Sequence, residues 1–427
     1  MTTQADDAHG PCPEQDAGVW ELVPVADYRL PQTPATRAAR AHWISLKRLF
    51  GRRRHEDEAP ARAEADLRRL SERQLDAFAG TVDWTAAARA LQDTLETGDD
   101  GDPVRFVVAP PYSGQVELLR RWGTEQGARW IDPPAYQDIL EAGPAWLVGW
   151  PTEVDCWVMP RLEHCWLRHA AGLALVRGLL DRALSGRLGR GVIGCDSWAW
   201  AYLRHVAPLP TRSALTLQAF DGGRLAALFR SLATVEGSGP VRFCNARTGR
   251  LILAVDGDGD GDADGDDDDR DDDGDGGTEL QSLAARCRGN AGLARELWRA
   301  RLSTVRDSEP DTDGRATGQD AGPATDGDDD AATVWVEEPT EEPTLAADRA
   351  EELALVLHAL LLHNGLPGSL LAELLPLPPF RIQAILRRLA GAGVAAAGQG
   401  GHWHITAAGY PPARDLLRSQ GLLLDDF

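Results

Sequence analysis

Lysine is nearly missing from this chain of 427 residues: Lys47 is the single one among 44 basic residues. Any chemistry that needs a lysine ammonium must therefore come from Lys47 or be absent. There is also no apolar run of about 18 residues, so the sequence predicts no membrane-spanning helix. The first residues, Met1 to Gly18, are polar and lack the apolar centre of a secretion signal. Cysteine is sparse. The six are Cys12, Cys156, Cys165, Cys195, Cys244 and Cys287, scattered, with no Cys-x-x-Cys pair. That pattern excludes a disulfide framework and reads as reduced thiols in a cytoplasmic protein. Cys156, His164, Cys165 and His169 cluster in sequence, but their spacing matches no zinc site.

What is abundant is acid, and it is confined. The net charge of −22 falls in two stretches, 256–275 and 307–342. Each holds 13 acidic residues against one arginine, and the rest of the chain is close to neutral. Both read as self-repelling spacers, the second expected to be structureless over 307–342. The start of the first, Asp256-Gly-Asp258-Gly-Asp260-Gly261, has the opening of a calcium loop. Its eighth position is Ala263 and its twelfth Asp267, where such a loop carries a large aliphatic residue and a glutamate.

Between these stretches the hydropathy pattern divides the chain. Residues 1–35 are rich in Pro, Asp, Gln and Thr and are expected to be a disordered tail. Residues 36–98 read as helices. Within them Trp43–Arg54 sets apolar residues beside Lys47, Arg48 and Arg52 to Arg54, a basic amphipathic stretch that could touch an anionic membrane or nucleic acid, or dock on its own domain. Residues 99–255 alternate strand and helix: strands at Val104–Ala109, Val154–Met159 and Gly191–Cys195, helices at Gln115–Gln126, Arg161–Leu188 and Ser197–Val206, and a hairpin from Val241–Cys244 and Leu251–Val255. Alternation of this kind predicts an α/β fold with a parallel sheet covered on both faces. The first acidic insertion runs over 256–277. Residues 278–306 read as a helical segment interrupted by Gly289-Asn290-Ala291-Gly292. Residues 343–427 give three helices and then a hairpin, the order of a winged helix-turn-helix domain.

The strand–loop–helix at Val104 to Glu117 occupies the context of a Walker A motif, G-x4-G-K-[ST]. Aligned on Gly114, the motif's first glycine is Ala109, its lysine is Gln115, and its magnesium-binding hydroxyl is Val116. Pro110 and Pro111 remove two backbone N–H groups from the phosphate cradle. Phosphoryl transfer needs positive charge on the phosphates and a held magnesium ion, and neither Gln115 nor Val116 supplies these. Taken in order, this loop, the strand before Glu163, the strand ending in Gly194-Cys-Asp196-Ser197, the segment with Gly289-Asn290, and the winged helix resemble the AAA+ superfamily of P-loop ATPases, in the arrangement of origin-recognition and STAND-type proteins. The resemblance covers residues 103–427 apart from the acidic spacers. It implies a P-loop NTPase-like core, a helical lid at 278–306, and a nucleotide site lined by Tyr112, Ser113, Gly114 and Gln115, with Asn290 and Arg295 from the lid. It also places the Walker B aspartate near Pro160, where no acid stands. Catalytic residues are therefore expected to be none. No metal and no cofactor are expected, ATP or ADP being the ligands such a fold would take.

Two further motifs have ordinary explanations. Ser197 follows a strand and opens a helix, as a hydrolase nucleophile does, but Cys195-Asp196-Ser197-Trp198-Ala199 lacks the glycines of that turn. Trp198 and Tyr202 share a helical face and read as core. In the winged helix the helix Phe380–Leu389 should bury Phe380, Ile382, Ile385, Leu386 and Leu389, and turn Arg381, Gln383, Arg387 and Arg388 outward, where arginines reach phosphates and guanine edges. The expectation is an inactive AAA+-like regulatory or scaffolding protein with a protein partner. The alternatives are a DNA-binding regulator acting through those four residues and a nucleotide-binding switch without efficient hydrolysis.

Overall fold

The computed structural model describes residues 19–31, 62–98, 101–141, 145–151, 154–210, 214–233, 240–255, 275–306, 332–339, 343, 345 and 350–427. Cys12, Trp43–Arg54 and the calcium-like start at Asp256 lie outside the described residues. In chain order the elements begin with β1 (Leu22–Pro24), β2 (Leu67–Arg69), α1 (Glu72–Phe78) and α2 (Thr85–Thr97). Then come β3 (Val104–Ala109), α3 (Gln115–Glu125), β4 (Arg129–Trp130), α4 (Tyr136–Leu140), α5 (Ala145–Val148) and β5 (Trp157–Met159). Next are α6 (Ala174–Leu184), β6 (Gly191–Asp196), α7 (Ser197–Val206), β7 (Ala214–Leu217) and α8 (Gly222–Leu232). They are followed by β8 (Val241–Asn245), β9 (Leu251–Val255), α9 (Asp275–Arg286), α10 (Ala291–Arg299), β10 (Leu302–Val305) and β11 (Ala332–Val336). The last are α11 (Ala350–Leu362), β12 (Leu366–Pro367), α12 (Gly368–Leu374), α13 (Pro379–Gly391), β13 (Ala395–Ala397), β14 (His402–Ile405) and α14 (Tyr410–Ser419).

These elements form two compact units. The first takes residues through Leu30, Asp83–Ala219 and Glu342–Phe427. Its sheet has the order β1-β7-β3-β6-β5-β4. Every neighbouring pair is parallel except β1 with β7, as the alternation of strand and helix predicts. β6 is buried throughout, and β3 at all but one residue, which is why Phe106–Ala109 and Gly191–Cys195 read as apolar runs. The chain leaves β3 for the far edge at β4 and returns through β5 and β6. It then crosses to β7 on the other side of β3. The carboxyl end of β3 thus opens where the connections diverge, the place at which open α/β sheets hold their ligands.

Within the same unit, α11 to α14 surround a three-stranded sheet of order β12-β14-β13. Ile382, Ile385, Leu386 and Leu389 of α13 are buried as expected. Phe380 is not: it is 74% exposed, because it stands in the first turn behind Pro378 and Pro379, before the helix reaches its neighbours.

The second unit takes Pro31–Val82 and Phe220–Glu341. Its sheet has the order β2-β10-β11-β8-β9. Phe229 and Phe243 both pack on Trp298, with ring centroids 4.8 and 5.6 Å away.

Several boundaries differ from the sequence expectation. Residues 19–31, placed in a disordered tail, hold a strand: Leu22–Pro24 runs antiparallel to β7, covering its edge. Residues 67–69, placed among helices, are a strand beside β10. The hairpin β8–β9 pairs as expected but belongs to the second sheet, where β8 also runs parallel to β11. β11 itself falls inside the stretch read as acidic spacer, and Val334, Trp335 and Val336 are its buried residues. The expected long helix over 161–188 is a short 3-10 turn, Leu162–His164, and then α6. The expected helical segment 278–306 breaks at Arg288 and Gly289, whose φ values are 54° and 77°, and finishes as strand β10.

Candidate functional site

Loop 110–114 carries the chain from β3 into α3 at the strand-end crevice. Tyr112 and Gly114 both have positive φ, 70° and 80°. For Tyr112 that conformation is strained, and its hydroxyl is held by donating to the carbonyl of Ile405 in β14. Gly114 has no alternative. A Cβ there would lie 2.0 Å from the Trp84 ring, so the indole rests on the glycine at the opening of α3. Trp84 in turn packs on Trp20, centroids 5.0 Å apart. Ser113 is buried, and its N–H donates to the carbonyl of Pro110 at 3.2 Å.

Gln115, at the position of the Walker lysine, is buried and turns back under the sheet. Its Nε2 donates to the carbonyl of Val107 at 2.9 Å. Gly194 of β6 makes the room, since a Cβ there would fall 2.4 Å from that same Nε2 and 2.4 Å from the carbonyl oxygen of Pro160. The side chain thus satisfies a strand carbonyl and does not reach into the loop. Sequence reasoning found Gln115 but could not read its direction, and it missed Gly194 and Trp84 as the residues that set the geometry. Asn290 and Arg295 belong to the second unit. Asn290 caps α10, accepting from Leu293 N–H at 3.1 Å. Arg295 donates to the carbonyls of Gly80 and Ala79 at 2.6 and 2.9 Å. Arg295 also pairs with the Glu296 carboxylate at 2.7 Å, so both side chains have partners within their own unit.

Beside the loop, at the carboxyl ends of β5 and β6, lie two buried acids, Glu163 and Asp196. Asp196 caps α7, accepting from Trp198 N–H at 2.9 Å, while its own N–H donates to Glu163 at 3.1 Å. Desolvation raises both carboxyls above their ordinary range. Glu163 is pushed up to about 7, and Asp196 is raised by burial and by the neighbouring Glu163. Three histidines surround them. Burial lowers His164 and His358 to about 4 and His363 to about 3, so all three are neutral at pH 7. His363 donates to the carbonyl of Glu163 at 3.4 Å, and Arg168 donates to His358 at 3.3 Å.

The C-terminal elements sit on this end of the sheet. Ser197, the first residue of α7, donates to Asp425, which also accepts from Arg414. The Arg414 guanidinium stands 5.6 Å from the Trp198 ring, and Trp198 Nε1 donates to the Tyr410 hydroxyl at 3.0 Å. Ser197 is 1% exposed, so the hydrolase-like position is closed by these partners. Trp198 is buried as the sequence suggested, and Tyr202 stacks on Trp166 at 4.8 Å. The set Cys156, His164, Cys165 and His169 does not assemble, and no group of metal-ligating side chains comes together among the described residues. No described helix is long and apolar enough to cross a membrane.

On α13, Gln383, Arg387 and Arg388 are exposed. Arg381 is tied instead to Glu352 of α11 at 2.6 Å.

No protein-family description matches the sequence, and no curated protein matches it. Among solved structures, the chain is similar to a Walker-type ATPase of Pyrococcus abyssi. The identity is 13%, the match covers 79% of this chain and 96% of that one, and the TM-score is 0.27.

Proposed function

We propose that this chain is a P-loop NTPase-like protein without nucleotide hydrolysis, and that it works as a regulatory or scaffolding protein through contacts with a protein partner. Its residues 343–427 would be a winged-helix domain seated on the strand ends. One observation carries the reading: Gln115, where hydrolysis needs a lysine, spends its amide on the Val107 carbonyl. The loop supports it further. Val116 offers magnesium no oxygen. Trp84 covers Gly114, and Tyr112 is anchored on Ile405, so neither side chain is poised for a phosphate. A chain that keeps a buried α/β core while lacking the charges of catalysis fits a binding role better than an enzymatic one. The test is thermal unfolding with and without millimolar ATP or ADP and magnesium. No shift is expected. A rise of several degrees would overturn the reading in favour of a nucleotide-binding switch, because a ligand of the folded state raises the melting temperature by mass action.

A second reading has its own support in the exposed Gln383, Arg387 and Arg388: a DNA-binding regulator reading through α13. It expects affinity that falls steeply with salt and weakens in the Arg387→Ala/Arg388→Ala variant. Arg381, paired with Glu352, would contribute least.

A further inference from the structure

Residues 422–427 leave α14 with no regular structure of their own. They turn off the helix at Gly421, whose φ of 65° suits glycine, and Leu422 N–H closes the turn on the Leu417 carbonyl at 3.1 Å. Burial then alternates: Asp425 is buried, Asp426 exposed and Phe427 buried, as in an extended chain lying in a groove. Each of the three has its own partner. Asp425 accepts from Ser197 and Arg414 through its carboxylate, and its carbonyl accepts from Arg414 at 3.0 Å. Asp426 pairs with Arg204 at 2.8 Å. The Phe427 ring packs on Tyr28, centroids 4.7 Å apart. Ser197 opens the ten-residue helix α7, so the partial positive charge of that helix end adds to Arg414.

The groove is selective for physical reasons. Ser197 and Arg414 are 1% and 4% exposed. An emptied pocket would strand a buried guanidinium without its carboxylate, which is strongly destabilising, and an apolar occupant cannot repair that. An occupant must bring an anion. The present one is held by these contacts and not by regular secondary structure. It contributes no strand to the sheet and no turn to a helix, so leaving breaks side-chain anchors and rotates the chain about Gly421.

We propose that Tyr28, Ser197, Arg204 and Arg414 form a peptide-docking site, filled here by the chain's own Leu422–Phe427. A partner protein docks by displacing that segment with an extended one carrying two acidic residues followed by an aromatic. The proposal deepens the protein-contact role above and rests on it. The nucleotide test reads loop 110–115 and not this groove, so either can fail alone.

The experiment uses a fluorescent synthetic peptide covering residues 421–427 and the full chain, unaltered or as Asp425→Asn. In the unaltered chain the tethered segment competes at an effective concentration in the millimolar range. The variant should therefore bind the peptide on the order of tenfold or more tightly than the unaltered chain. Binding should vanish when both peptide aspartates become asparagine. Equal affinity for variant and unaltered chain, or equal binding of acid and amide peptides, overturns the proposal. Should Asp425→Asn not fold, Asp426→Ala/Phe427→Ala, which keeps the buried pair, takes its place. No gain in affinity over the unaltered chain there overturns the proposal equally.

Discussion

Replacing Gln115 by leucine tests the geometry on which the functional reading stands. Leucine keeps most of the volume and removes the donor. The Val107 carbonyl, now receiving Nε2 at 2.9 Å, loses that partner inside a buried strand. Losing one such hydrogen bond costs roughly 0.5–1.5 kcal/mol. Spread over a unit of this size, each kilocalorie lowers the melting temperature by about 2–4 °C, so a fall of a few degrees is expected by calorimetry or circular dichroism. Gln115→Glu sharpens the test. An ionised carboxylate there would face the carbonyl acceptor-to-acceptor, whereas the protonated acid can still donate. Its folded pKa should therefore lie above the unfolded one. The variant should come closest to the parent stability below the unfolded carboxyl value, about 4.3, and lose ground as pH rises from there through the folded value. If Gln115→Leu melts with the unaltered protein and Gln115→Glu shows no such slope, the side chain does not bond the strand. The case against a phosphate-binding loop would then lose its main support.

Gly194→Ala should destabilise by about 1–3 kcal/mol in a denaturant titration, because the new methyl lands 2.4 Å from both Gln115 Nε2 and the Pro160 carbonyl; an unchanged midpoint would show slack beside β6 that the packing does not have. The buried histidines and Glu163 should act against each other on the acid side of neutrality. His164, His358 and His363, lowered by burial, leave the unfolded chain binding more protons below its histidine value of 6.5, so stability drops as pH falls from there toward about 4. Glu163, raised from 4.5 to about 7, makes the folded state the better proton binder, so its contribution declines as pH rises through that window. In pH-dependent melts His358→Gln should weaken the loss of stability toward acid and Glu163→Gln the loss toward pH 7, and unaltered slopes would place these groups in water. Asn290→Ala should cost about 1 kcal/mol in a denaturant titration through the lost cap of α10, and an unchanged midpoint would show that the side chain does not cap the helix.

The local pattern of the chain determined much of its secondary structure. β3 and β6 stand out as buried apolar runs, α7 begins at the serine after its aspartate cap, and the buried positions Ile382, Ile385, Leu386 and Leu389 follow from helical period. The losses of lysine and hydroxyl at Gln115 and Val116 are also plain in the sequence, because a motif compares residues at fixed short spacing. What only the tertiary structure decided concerns partners distant along the chain. The hairpin at Val241–Val255 reads correctly as a hairpin, yet its β8 edge is completed by β11, nearly a hundred residues onward, across an acidic stretch that hid β11. Residues 22–24 carry too weak a pattern to announce a strand and become one because β7 offers an open edge. The inward turn of Gln115 depends on the missing side chain of Gly194, and the seat of Asp425 on Ser197 and Arg414. Hydropathy period records which face of an element is apolar. It carries no record of which other element will cover that face, since that choice is made by shape and charge complementarity between segments the period never compares.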